Sequence, residues 1–92
     1  MENITGKTSS GFEYSYDKRV LTDWDFVSLL GTLTDKDIKE SVKLANVRKL
    51  LFFVLGEEQT NSLISHVREL NDGFAPMEEV MKEVGEITSV KN

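Results

Sequence analysis

Apolar and polar positions change period once along this chain. Over Phe12-Glu13-Tyr14-Ser15-Tyr16 aromatic and polar residues alternate, the period of two that marks a short half-buried strand or an extended arm laid along the domain. No second segment shows a matching alternation, so such a strand would lie along helices or pair as an edge with another chain. From Leu21 onward the spacing is three and four. Leu21 and Phe26 form a hydrophobic staple about a Thr22/Asp25 capping pair, and they open a helix whose apolar stripe takes in Trp24, Val27, Leu29, Leu30 and Leu33. Gly31 weakens that helix near its end. Thr34 with Asp37 and Leu33 with Ile38 repeat both devices and predict a new helix from about Asp35. Its apolar positions run Ile38, Val42 and Ala45, then Leu44, Val47, Leu50, Leu51, Val54 and Leu55. They end at Gly56 in a C-terminal cap position, as one long helix or two pieces broken near Asn46.

Leu63, Ile64, Val67 and Leu70 mark a further helix, opened by Glu57 and Glu58 at its positive end and closed by Asn71-Asp72-Gly73. Pro76 at a first-turn position, followed by Glu78 and Glu79, begins the last helix, with Met77, Val80, Met81, Val84 and Ile87 on its apolar face. Residues 1–11 are mostly Thr, Ser, Gly, Lys and Asn around an isolated Ile4 and are expected to be a flexible tail. The expected fold is all-α: a small bundle of four to five short helices preceded by an extended or short β N-terminal arm, with residues 12–92 as a single helical domain.

Composition narrows what such a domain does. A length of 92 residues fits one core, and 39% hydrophobic with 29% charged residues can fill it. The absence of cysteine excludes disulfide staples and thiolate metal sites and fits a reducing setting. Sixteen acidic against eleven basic residues leave a charge of -5, which repels phosphate backbones, so nucleic acid is not an expected partner. The longest apolar run, Leu50 to Leu55, is far short of the roughly 20 residues that span a bilayer, and residues 1–10 carry no apolar signal region. A cytoplasmic, non-membrane protein is expected.

Catalytic signatures are weak throughout. Gly6-Lys7-Thr8 matches only the end of a phosphate-binding loop, without the earlier glycine, the preceding strand or the following helix. His66 is the only histidine, so no two-histidine metal site can form within one chain. The acidic clusters at Asp35/Asp37/Glu40, Glu57/Glu58 and Asp72/Glu78/Glu79/Glu83/Glu86 lack calcium-loop spacing and fit helix caps and solvated faces. Asn3-Ile4-Thr5 spells a glycosylation sequon without secretory context. No enzyme activity, cofactor or metal is expected. What stands out is Leu50-Leu51-Phe52-Phe53-Val54-Leu55, which at about 100° per residue encircles a helix with apolar groups. Either this helix is central and ringed by others, or part of the ring, at Phe52 or Phe53, is a contact for another chain. Phe12, Tyr14, Tyr16 and Trp24 pose the same choice between core and interface. These six aromatics are the candidate partner-binding residues. The full apolar ring and the unpaired arm both point to self-association.

The order of segments resembles tail assembly chaperones of long-tailed, siphovirus-type bacteriophages or prophages. The likeness rests on the aromatic-acidic arm Phe12-Glu13-Tyr14, the helix start Leu21-Thr22-Asp23-Trp24-Asp25-Phe26, the Leu55-Gly56-Glu57-Glu58-Gln59 segment and the acidic, valine-spaced helix at Glu78 to Ile87, and covers about residues 12–88. The connection over 34–47 is longer and more helical than the family pattern, and the segment before Phe12 has no counterpart in it. The resemblance implies a protein of the bacterial host cytoplasm that is absent from the mature virion. Its role would be to bind the tape measure protein, and also the tail tube protein, and keep the former soluble during tail assembly. An acidic shell and Leu, Met and Phe stripes suit adaptable contacts with amphipathic helices. The alternative is a small helical transcription regulator or antitoxin-like interaction module, with Lys36 to Arg48 as the nearest thing to a recognition helix; Asp37 and Glu40 interrupt its basic character.

Overall fold

A computed structural model of the chain describes residues 2–89; Met1, the start of the expected tail, and residues 90–92, the end of the expected domain, lie outside them. In chain order come β1 (Asn3–Lys7), β2 (Glu13–Asp17), a 3-10 turn over Lys18–Thr22, α1 (Trp24–Thr34), α2 (Glu40–Leu70) and α3 (Met77–Thr88). The two strands pair antiparallel, with Ile4 opposite Tyr16, Thr5 opposite Ser15 and Gly6 opposite Tyr14. This corrects the expected all-α bundle of four to five helices: among the described residues the domain is mixed, with three helices and a hairpin, and the partner of the aromatic strand is the segment expected to be flexible tail. The partner is hard to recognise in sequence because Ile4 is its only apolar residue and a glycine takes the next inward position. Gly6 leaves room for the Tyr14 ring, since a Cβ there would stand 2.5 Å from the Tyr14 hydroxyl oxygen and displace it. An aromatic ring laid over a strand glycine compensates for its missing side chain. The Thr8–Gly11 turn closes the hairpin as the Gly11 N–H donates to the Thr8 carbonyl at 2.9 Å, with Gly11 at φ 99°.

The helices depart from expectation in their starts and in their number. Asp35–Lys39 is a connection rather than a helix start, because the Asp35 carboxylate accepts from the Asp37 N–H at 2.9 Å and holds the backbone in a turn. The cap of α1 also sits one residue later than expected, on Asp23, whose side chain accepts from the Asp25 N–H. Farther on, the two helices expected on either side of Gly56 follow one another without a loop in α2. Thirty-one residues at about 1.5 Å each would span roughly 46 Å, yet the largest extent of the molecule is 36 Å. The difference is made at Gly56, whose φ of 80° and ψ of 169° turn the axis within one residue. That backbone region is open essentially to glycine alone. Leu50 from the first leg of α2, Leu63 from the second and Ile87 from α3 are the most completely buried large side chains, so the core lies where these three meet. Helix α1 adds Phe26, with Leu29 and Leu33 partly buried beside it, and the Asn46 amide donates to Thr32 Oγ1 at 2.8 Å to join α1 to α2.

The hairpin is tied to the helices through β2. Tyr16 is buried and its hydroxyl donates to the Ile87 carbonyl at 2.7 Å, near the end of α3 where helix carbonyls lack internal partners. Desolvation, with a smaller contribution from neighbouring Tyr14, pushes the Tyr16 phenol up to about 12. The Gln59 amide takes both backbone groups of Ser15, accepting from its N–H at 2.9 Å and donating to its carbonyl at 2.7 Å. It occupies the edge of β2 as a third strand would.

Two predictions follow from these anchors. Gly56→Ala is expected to lower stability by about 1–3 kcal/mol in chemical denaturation, because the new side chain is strained at this backbone geometry. Tyr16 ionises near pH 10 when unfolded and near 12 when folded, so its contribution is complete below pH 10 and is lost as pH rises from 10 to 12. Tyr16→Phe should cost about 1 kcal/mol at neutral pH and flatten the fall in stability between pH 10 and 12, as read by denaturant midpoints.

Candidate functional site

The break at Gly56 sets the two legs of α2 facing one another, and between them runs a cavity of about 590 Å³. Leu44, Val47, Leu51 and Phe52 line it from the first leg, Ile64 from the second, and Ala75, Met77 and Val80 from the α3 side. A volume of this size suits several apolar side chains of a bound segment. Arg48 and Arg68 flank it, both exposed. The Arg48 guanidinium lies 5.1 Å from the Phe52 ring centroid, and Arg68 donates to the Gly73 carbonyl at 3.1 Å. Among the described residues neither meets a carboxylate as an ion pair, and the lining contains no Asp or Glu. A smaller hollow of about 170 Å³ shares Leu44, Val47 and Met77 with the groove and adds Glu40 and Lys43.

One polar atom inside the groove is unusual. Thr60 is 4% exposed, and its Oγ1 has no hydrogen-bond partner among the described residues. A helical threonine ordinarily donates to the carbonyl four residues back, but here that residue is Gly56, whose ψ of 169° takes it out of the helical conformation. Leaving a buried hydroxyl unpaired costs about 1–3 kcal/mol.

A second set of polar groups lies under the hairpin turn. Glu83 is 3% exposed and accepts from Thr8 Oγ1 at 2.7 Å and from Ser10 Oγ at 2.9 Å. Ser10 Oγ also lies 3.0 Å from His66 Nε2, and the Phe12 ring stacks at a tilt 5.7 Å from the imidazole. The Ser9 N–H and then its hydroxyl bind Glu86 at 2.7 and 2.8 Å and hold that carboxyl below its ordinary range. A serine, a histidine and a buried carboxylate thus come together, but in a different order from a nucleophile-activating triad. In such a triad the carboxylate orients the imidazole; here it receives the hydroxyls of the turn. The arrangement fastens the hairpin onto α2 and α3, and charge-assisted hydrogen bonds are the means by which a buried carboxylate is tolerated. Among the described residues no group of three or more His, Asp or Glu side chains could hold a metal ion.

The six aromatics singled out from the sequence divide. Phe12 and Tyr16 are core residues and Tyr14 is half-buried against Tyr16, stacked at 5.9 Å. Phe52 is half-buried on the groove, Phe53 is 37% exposed, and Trp24 at the start of α1 is 83% exposed. The apolar ring is therefore mostly central, with Leu50, Leu51, Val54 and Leu55 buried. Glu83, expected on a solvated face, is buried at 3% exposure; sequence reasoning named Arg48 only within a basic run and overlooked Thr60, Arg68 and Phe74, which is 71% exposed beyond α2. The basic run Lys36 to Arg48 does not form one helix, since Lys36 and Lys39 precede α2. No helix in the described residues is long and apolar enough to cross a membrane. Comparison with known proteins finds no family model, curated relative or solved structure that matches this chain.

Replacing Thr60 by Val keeps the shape and removes the unpaired hydroxyl. Thr60→Val is expected to stabilise the free protein by about 1 kcal/mol, seen as a higher denaturant midpoint at unchanged slope.

Proposed function

We propose that this chain is a non-catalytic tail assembly chaperone of a long-tailed phage or prophage. It binds amphipathic helical segments of the tape measure protein in the host cytoplasm and keeps that protein soluble until the tail forms around it. The observation that carries the reading is the apolar groove between the two legs of α2, with Met77 open to solvent on its lining; Trp24, Phe53, Leu70 and Phe74 are large apolar side chains exposed elsewhere on the chain. Exposed apolar surface of this kind marks sites that take another chain, and a groove between helices is a standard seat for an amphipathic helix. Met77 and Met81 near its mouth add adaptable contacts suited to more than one segment. The segment order over residues 12–88 gives the reading its partner. The net charge of -5 helps keep a protein with so much open apolar surface from collecting on itself.

Co-expression tests this directly. With the unmodified chain, the tape measure protein is expected in the soluble fraction and in a complex on size exclusion. Phe52→Asp, checked by circular dichroism for retained helix, should return it to the pellet, while Phe53→Asp tests the neighbouring exposed position. A tape measure protein equally insoluble with and without the chain would remove the proposal.

A further inference from the structure

We infer that the groove between the legs of α2 is selective for a protein helix whose apolar stripe is flanked by Asp or Glu. The inference rests on the protein-binding reading above and assigns the partner segment its chemistry. Charge is the first observation. The chain carries sixteen acidic and eleven basic residues, yet the groove lining holds two arginines and no carboxylate. Arg48 and Arg68 come from opposite legs of α2, both are exposed, and among the described residues neither is in an ion pair. Their local partners, the Phe52 ring and the Gly73 carbonyl, leave the guanidinium charge unneutralised. A helix seated between them would place flanking carboxylates toward both, and guanidinium groups suit bidentate pairing with carboxylates. Elsewhere an acidic surface repels the same helix, so register on the groove is favoured over attachment at random.

The second observation is the lining between those arginines, which is apolar on both legs at Val47, Leu51, Phe52 and Ile64. The apolar lining between the two legs accommodates side chains repeating at i, i+3 or i+4 and i+7 on the occupant.

The test uses the full chain and two synthetic helical peptides of about 20 residues that share a leucine stripe and differ only in flanking glutamate or lysine. Fluorescence anisotropy at low salt should show the glutamate peptide bound roughly tenfold more tightly, a preference that shrinks as salt is added. The double variant Arg48→Glu/Arg68→Glu, whose substitutions are at the surface, should invert the order. Equal affinities, a preference for the lysine peptide, or an unchanged order in the double variant overturns the inference, as does oleate binding with no peptide binding or a dimer that the double variant dissolves. Failure here is separable from failure of the chaperone proposal. If the double variant still keeps the tape measure protein soluble and the peptides are not distinguished, only the groove's selectivity is lost. If the unmodified chain does not solubilise that protein but does select the acidic peptide, the partner is a different acidic helix.

Discussion

The whole arrangement hangs on a one-residue turn inside a helix. Gly56 adopts φ 80° and ψ 169°, and this lets thirty-one residues between Glu40 and Leu70 double back without a loop. Had α2 run straight, Leu50 and Leu63 would lie about 20 Å apart along one rod and could not share a core. With the turn, the apolar ring at residues 50–55 meets the stripe of Leu63 and Val67, and both meet Val80, Val84 and Ile87 of α3. The same turn takes away the carbonyl that Thr60 would use and opens the space between the legs. Core, groove and unpaired hydroxyl are consequences of one backbone geometry.

The hairpin is too small to be stable alone, because two strands with a single inward aliphatic residue bury little. It is held by side chains sent from the helices. Gln59 copies a strand edge at Ser15, the Ile87 carbonyl accepts from Tyr16, and Glu83 and Glu86 receive the hydroxyls and amide of the Thr8–Ser10 turn. These bonds join residues 44 to 77 positions apart, so the hairpin depends on α2 and α3 for its anchors. In exchange it closes the end of the core, where Phe12 and Tyr16 are buried. The exposed ion pairs Lys18–Glu2 and Arg19–Asp17 add little, since solvent screens them.

Much of this was legible in the residues, and the rest was hidden for identifiable reasons. The face of α3, the centrality of residues 50–55 and the helix end at Asn71 to Gly73 follow from three-four spacing and glycine chemistry, and the strand at residues 13–17 follows from alternation. The partner strand escaped because Ile4 and Gly6 carry too little hydrophobicity to show a period. The helix count erred because a glycine at the end of a stripe looks the same whether the chain exits into a loop or turns and resumes. The Glu83 site did leave a trace. At about 100° per residue, Glu83 falls inside the stripe of Val80, Val84 and Ile87, and His66 falls inside that of Leu63 and Val67. A lone polar residue on an apolar face implies a buried partner. What no local rule supplies is that this partner is a turn of serine and threonine more than seventy positions from Glu83.

Two kinds of broken rule separate the interior from the groove. Under the hairpin, a buried carboxylate contradicts simple patterning but is repaid in full by hydroxyl donors, so its role is closed within the chain. At the groove the departures stay open: among the described residues a buried hydroxyl has no partner and two arginines meet no carboxylate, and Leu44 and Met77 of the lining face solvent. Each is mildly unfavourable for an isolated domain. Natural sequences tend to keep such local conflicts where a function needs them. Because the two arginines and the apolar lining belong to one groove, a bound chain that brings apolar and acidic groups together would satisfy both at once.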